Sequence, residues 1–234
     1  MDIESLIKSK SRVKRHGEVF TPKWMVHKML DMPEISEACN NIYTTFLEPS
    51  AGDGNFLQEI LRRKLDVVVK NSHISNWKIK SLWALSSIYG IEYLADNLEV
   101  ARARMFLCYL DWFEECFDKK LSPKTDLYKS AHYIIHKNIV RGNSLEQIHP
   151  EYHWPIMFLE WRRVKGYPSQ VEIIPFALGA EGEKLVKFNQ YIPEGQGSLF
   201  EGELELSIEQ CNIIMNISKV YQVEGKLWNR ILSF

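Results

Sequence analysis

The β-prone segment 44–47 runs without a break into Glu48-Pro49-Ser50-Ala51-Gly52-Asp53-Gly54-Asn55-Phe56-Leu57, and this junction constrains the fold more than any other stretch. The pattern predicts a strand over 44–47, a tight loop with glycines at 52 and 54, and a helix opening near Phe56. That helix carries Leu57, Ile60 and Leu61 on one face. A strand, a glycine-rich loop and a helix in this order form the usual crevice of an open α/β sheet, at the carboxyl ends of its strands. Glycines there let the backbone pass close under a bound ligand, where a side chain would collide. The loop's charges then select the ligand. A phosphate-cradling loop of the type Gly-x-x-x-x-Gly-Lys-Ser/Thr adds a lysine. This loop carries Glu48 and Asp53 instead, which repel a pyrophosphate and favour an ammonium or sulfonium group.

Composition sets the outer bounds. The chain has 234 residues, 45% apolar and 12% aromatic, enough for one compact core. A net charge of -1 gives no global signature of a nucleic-acid binder, so such contacts must come from local patches or a partner subunit. Apolar runs are short and the start Met-Asp-Ile-Glu lacks the shape of a signal peptide, so the expectation is a cytoplasmic protein with no membrane span. Cys39, Cys108, Cys116 and Cys211 have neither metal-ligand nor disulfide-framework spacing. His132 and His136 share a helical face but lack a third ligand, so no metal is expected.

The decapeptide at 48–57 resembles the first motif of the amino-type (N6-adenine) DNA methyltransferases, (D/E)-P-(A/S)-x-G-x-G-x-F. The cationic ligand is then S-adenosylmethionine, and the resemblance implies that Glu48, Ala51, Gly52, Asp53, Gly54 and Phe56 line its site. Upstream, Gly17-Glu18-Val19-Phe20-Thr21-Pro22 resembles the family's Gly-x-x-x-Thr-Pro segment, which folds over the methionine end, implicating Phe20 and Thr21. Thr21 also reads as the N-cap of a helix starting at Pro22. The β-rich run Ile88–Glu92 ends in a carboxylate, and Glu92 matches the family's acceptor for the two ribose hydroxyls. Asp96-Asn97 is expected to cap the next helix. A strand over 134–140 precedes Asn143, which matches the residue that bonds the adenine amino group. Between these motifs, 71–80 reads as irregular and polar, and 112–129 as helix end and loop.

The pattern breaks at the next strand. In this family, catalysis rests on Asn/Asp-Pro-Pro-Tyr/Phe, which polarises the adenine amino group and stacks on the flipped base. This chain has no Pro-Pro, and its strand candidate 155–159 ends in Glu160-Trp161-Arg162-Arg163. Three readings stay open. Glu160 and Trp161 form an atypical catalytic site. Or the domain is a non-catalytic cofactor- or DNA-binding subunit of a modification or anti-defence assembly. Or Glu160 and Arg162 are a structural ion pair. Pro155-Ile156-Met157-Phe158-Leu159-Glu160-Trp161 also resembles a segment of short methyltransferase-like proteins of phage or mobile-element type.

The resulting expectation is a Rossmann-like class I methyltransferase fold over 17–180, a mostly parallel sheet flanked by helices. A basic arm over 1–16 precedes it, either solvated or contacting phosphates, and a loop with a closing helix over 181–234 follows. No separate target-recognition domain is seen, so DNA recognition is expected to need a partner; RNA or another acceptor is the further alternative. Gln196-Gly197-Ser198-Leu199-Phe200 resembles the sliding-clamp-binding peptide Gln-x-x-Leu-Phe, with Gln196, Leu199 and Phe200 as anchors. Its alternative is a loop anchored on the protein's own core.

Overall fold

The structure is a computed structural model that describes residues 8–71, 76–178, 186–187, 205–206 and 212–223. Three short helices open it: α1 (Lys10–His16), α2 (Lys23–Leu30) and α3 (Pro33–Cys39). Strand β1 (Phe46–Glu48), helices α4 (Asn55–Asn71) and α5 (Trp77–Ser86), and strand β2 (Ile88–Glu92) follow. Then come α6 (Ala95–Phe117), α7 (Asp126–Asn138) and β3 (Ile139–Arg141). The remaining elements are β4 (Met157–Arg163), β5 (Gln170–Ala177), the two-residue pair β6 (Val186–Lys187) and β7 (Glu205–Leu206), β8 (Ile213–Asn216) and a 3-10 turn, Ile217–Gln222.

The chain is α/β, built on a three-stranded parallel sheet β1-β2-β3 flanked by helices. Its middle strand, Ile88–Glu92, is buried throughout, as parallel strands covered on both faces are. Alternation sends Ile88, Gly90 and Glu92 to one side and Tyr89 and Ile91 to the other. A Cβ on Gly90 would lie 2.9 Å from the Leu57 side chain, so the missing side chain is what lets α4 lie against the strand. α4 buries Leu57, Ile60, Leu61, Leu65 and Val68, a helical stripe facing the sheet. On the other side the Tyr89 hydroxyl donates to the Leu159 carbonyl at 2.9 Å, and its ring meets Phe158 edge-on. This contact belongs to a second sheet, antiparallel β4-β5-β8, which the sequence reading did not anticipate.

Several local expectations shift. β1 is Phe46–Glu48 rather than 44–47. Pro22, not Thr21, occupies the N-cap of α2, and no side chain caps it. Leu94, rather than Asp96-Asn97, stands at the N-cap of α6. The polar stretch 71–80 is in part helical, because Trp77 finds a nest of rings: Phe117 at 4.2 Å and Phe113 at 5.6 Å. Residues 134–138 belong to α7 rather than to a strand. Thr125 caps that helix by accepting from the Tyr128 N–H, and Leu127, Ala131, Ile134 and Ile135 form its buried face. At the end, Ile213 and Met215 are buried while Ile214 is 59% exposed, a period of two that makes a strand where a helix was expected. Gln196, Leu199 and Phe200 lie outside the described residues. No helix among the described residues is long and apolar enough to cross a membrane.

The amino ends of the parallel strands are sealed by Lys64, which is fully buried. Its ammonium donates to the Thr44 carbonyl at 2.5 Å and the Ser87 hydroxyl at 2.6 Å. Burial pulls the Lys64 pKa down to about 7. The unfolded chain therefore holds this proton up to about pH 10.4 while the folded chain releases it near 7. This group makes stability rise with pH across that window and contributes no slope below it. Urea unfolding at pH 7.5 and pH 9 should show Lys64→Met losing a favourable slope of at most about 1.4 kcal/mol per pH unit relative to wild type. Equal pH dependence in the two proteins would show that Lys64 stays charged in the fold.

Candidate ligand cavity at the carboxyl ends of the parallel strands

A cavity of about 450 Å³ opens where all three parallel strands end. Pro49, Ser50 and Gly52 follow β1, Glu92 and Tyr93 close β2, and Gly142 and Asn143 follow β3. The fourth wall is the segment from Arg15 to Phe20, which joins α1 to α2.

Glu92 organises the floor. Its Oε2 accepts the Gly52 N–H at 2.7 Å and its Oε1 accepts the Leu94 N–H at 2.9 Å. A carboxylate offers about four acceptor positions, and the Gly52, Leu94 and Asn97 donors leave about one for a ligand. That position suits a ligand hydroxyl. Burial pushes the Glu92 carboxyl above its ordinary range, and the two backbone N–H groups and Asn97 oppose that.

The two loop glycines divide their roles. Gly52 holds φ +56°, and a Cβ there would meet only the Phe20 ring, at 3.7 Å. Gly54 holds φ +91° and faces away from the cavity: a Cβ would lie 2.9 Å from the Ala101 Cα. Only glycine lets the loop backbone close on α6, so Gly54 serves packing rather than ligand approach. Ala51 is buried and donates its N–H to the Ile91 carbonyl at 2.9 Å, which stitches the loop to β2.

The loop's acids are placed differently from the sequence expectation. Asp53 does not line the cavity; it is buried against Arg104 at 2.7 Å. Burial pushes its carboxyl up, and Arg104 pulls it back. Glu48 turns back to accept the Ser50 N–H at 3.1 Å. Thr21 contributes through its backbone, accepting from the Asn55 amide at 3.0 Å, and Phe56 packs against the core. The acids at the cavity are Glu92 and Glu18. Arg12 and the Asn97 amide grip the Glu18 carboxylate, and Arg12 holds it below its ordinary range. Glu18 and Asn97 were missed in sequence because they meet only in the fold, 79 positions apart.

Asn143 lines the cavity, with its Oδ1 accepting the Leu145 N–H at 3.1 Å in a tight turn. The basic run 8–16 is neither a free arm nor wholly paired. Lys8 and Arg12 pair with Asp96 at 2.9 Å each, pulling that carboxyl down to about 2.

Glu160 and Trp161 are not brought to the cavity. The Trp161 indole is buried and donates to the Asn138 Oδ1 at 2.7 Å, so it is a core strut rather than a stacking face. Glu160 pairs with Arg162 at 3.1 Å. Both belong to the antiparallel sheet, whose strands do not end at the cavity. Among the described residues no group of His, Cys, Asp and Glu could hold a metal ion.

No protein-family model, curated protein or solved structure matches the chain, so the cavity carries the functional argument. Glu92→Gln should lower stability by about 1–3 kcal/mol in denaturant unfolding, because its amide group must face one of two buried N–H donors. Glu48→Gln, with one longer bond at a half-buried site, should cost less than about 1 kcal/mol. Equal costs would mean that Glu92 does not hold the loop.

Proposed function

We propose that this cavity binds S-adenosylmethionine and that the chain is a class I methyltransferase-like protein directed at DNA. The observation that carries this reading is Glu92: a buried strand-end carboxylate, bonded to the glycine loop, that lines the cavity with acceptor capacity left for a ligand. A ribose hydroxyl of S-adenosylmethionine fits that arrangement. Glu92, which has no ion-pair partner among the described residues, favours the cofactor's cationic methionine end over a dinucleotide's pyrophosphate, whereas Glu18 is already paired with Arg12. Asn143 stands at the third strand end, where its amide group can meet the adenine, and Phe20 covers the glycine loop. A volume of about 450 Å³ suits a small-molecule ligand.

Whether methyl transfer to adenine N6 occurs is a separate proposition. The second reading, a non-catalytic cofactor- or DNA-binding subunit with a partner for target recognition, is favoured by one observation. Trp161 is locked to Asn138 in the core, and Glu160 is paired outside the cavity.

Titration calorimetry tests the cofactor. S-adenosylmethionine should bind one to one, and Glu92→Ala should weaken it by roughly 10- to 100-fold, the loss of charge-assisted hydrogen bonds. Asp53→Asn, which alters a residue outside the cavity, should stay within about threefold of wild type. Absence of binding at millimolar cofactor would overturn the reading. Transfer of labelled methyl to DNA would establish an enzyme. If Glu160→Gln and Trp161→Phe then retained that transfer, neither residue would be catalytic.

A further inference from the structure

The loop between β3 and β4 is tightly folded. Bridges from Asn143 to Ile148 and from Ile148 to Pro155 turn it back on itself. Gln147 and His153 hold φ of 60° and 56°, values that non-glycine residues adopt only where their surroundings impose them. What this folding builds is a stack of rings. Tyr152 lies 4.6 Å from His149, nearly parallel at 24°, and 4.5 Å from Trp154. Yet Tyr152 is 61% exposed.

The stack is tied to the cavity. Glu151, next to Tyr152, pairs with Arg141 at 2.7 Å, and Arg141 in turn donates to the Tyr93 carbonyl at 3.3 Å. Tyr93 and Leu145 both line the cavity, and Leu145 is 94% exposed. The rim on this side therefore presents flat and apolar groups to water.

The helix that leads into the fourth wall is cationic. α1 spends Arg12 on Glu18 and Asp96, but Lys10, Lys14 and Arg15 are exposed and form no ion pair with another described residue. Arg15 lines the same cavity as Leu145. A cationic helix that reaches the cavity through Arg15, with an exposed aromatic stack tied to the same cavity, is complementary to a polyanion that carries planar bases.

We propose that this mouth is a site for single-stranded nucleic acid, with an unpaired base stacked on Tyr152 and the adjoining phosphates held by Lys10, Lys14 and Arg15. A duplex base reaches the ring only by being flipped out, at an unstacking cost that a single strand does not carry, so a single strand is the occupant. Stacking of this kind tolerates any base, and the phosphate contacts make it salt-dependent. The site would bring an acceptor to the donor cavity and rests on that reading for its purpose, but its test does not involve the cofactor.

Fluorescence anisotropy with a labelled mixed-sequence 12-nucleotide single strand and the matching duplex, in cofactor-free protein, decides it. Wild type should prefer the single strand. Tyr152→Ala should weaken binding roughly 5- to 100-fold while Tyr152→Phe restores it. Replacing Lys10, Lys14 and Arg15 together by Ala should reduce the slope of log affinity against log salt by about 2. Thermal unfolding followed by circular dichroism should be the same for Tyr152→Ala and wild type, which checks that the variant is folded. Preference for the duplex, absence of binding at low salt, or equal affinity of Tyr152→Ala and wild type would overturn the proposal.

Discussion

A single carboxylate joins the sheet to the loop. Burying Glu92 is unfavourable by itself, as the upward push on its pKa records. The Gly52 and Leu94 N–H groups offset that by satisfying donors that would otherwise be orphaned in a tight turn. The consequence is positional. With Ala51 hydrogen-bonded to Ile91 and Gly54 pressed on Ala101, the glycine loop is fixed at three points before any ligand arrives. A site whose polar groups are already oriented loses little entropy on binding.

The opposite end of the sheet is closed with comparable care. Lys64 fills the amino ends of β1 and β2, and the Asn138 amide donates to the Ser86 and Ile88 carbonyls while accepting from Trp161. These buried polar groups satisfy strand-end carbonyls that water would otherwise need to reach. The parallel sheet is thus polar and full at one end and polar and open at the other. That asymmetry directs the search for a ligand to the carboxyl ends.

What was legible in the sequence was local. Gly52, Glu92, Asn143 and Phe20 sit in segments whose spacing and residue types announce a strand end or loop, and all four line the cavity. What was not legible depended on distant pairing. Gly54 looks the same as Gly52 in sequence, and only the approach of Ala101 gives it a different task. Glu48 and Asp53 carry the charge expected of the cavity, but Asp53 is claimed by Arg104, some 50 positions away. Ile134 and Ile135 are β-branched neighbours suited to a strand, and Thr125 with Leu127 and Ala131 draws them into α7. The roles of Glu160 and Trp161 turned on which sheet their strand joins, and antiparallel pairing with β5 is not encoded in the strand itself.

The fourth wall of the cavity is of another kind from the other three. Sheet strand ends are fixed by ladders of backbone hydrogen bonds, whereas α1 is fastened mainly by ion pairs of Lys8 and Arg12 with Asp96 and Glu18. Gly17, in the left-handed conformation with open space where a Cβ would stand, caps that helix through its N–H to the Val13 carbonyl and turns the chain into the wall. Ion pairs at an exposed carboxylate weaken as counterions accumulate, and hydrogen-bond ladders do not. The hold of α1 on the rest of the chain is therefore the part of the cavity that loosens as salt rises, while the floor beneath it stays unchanged.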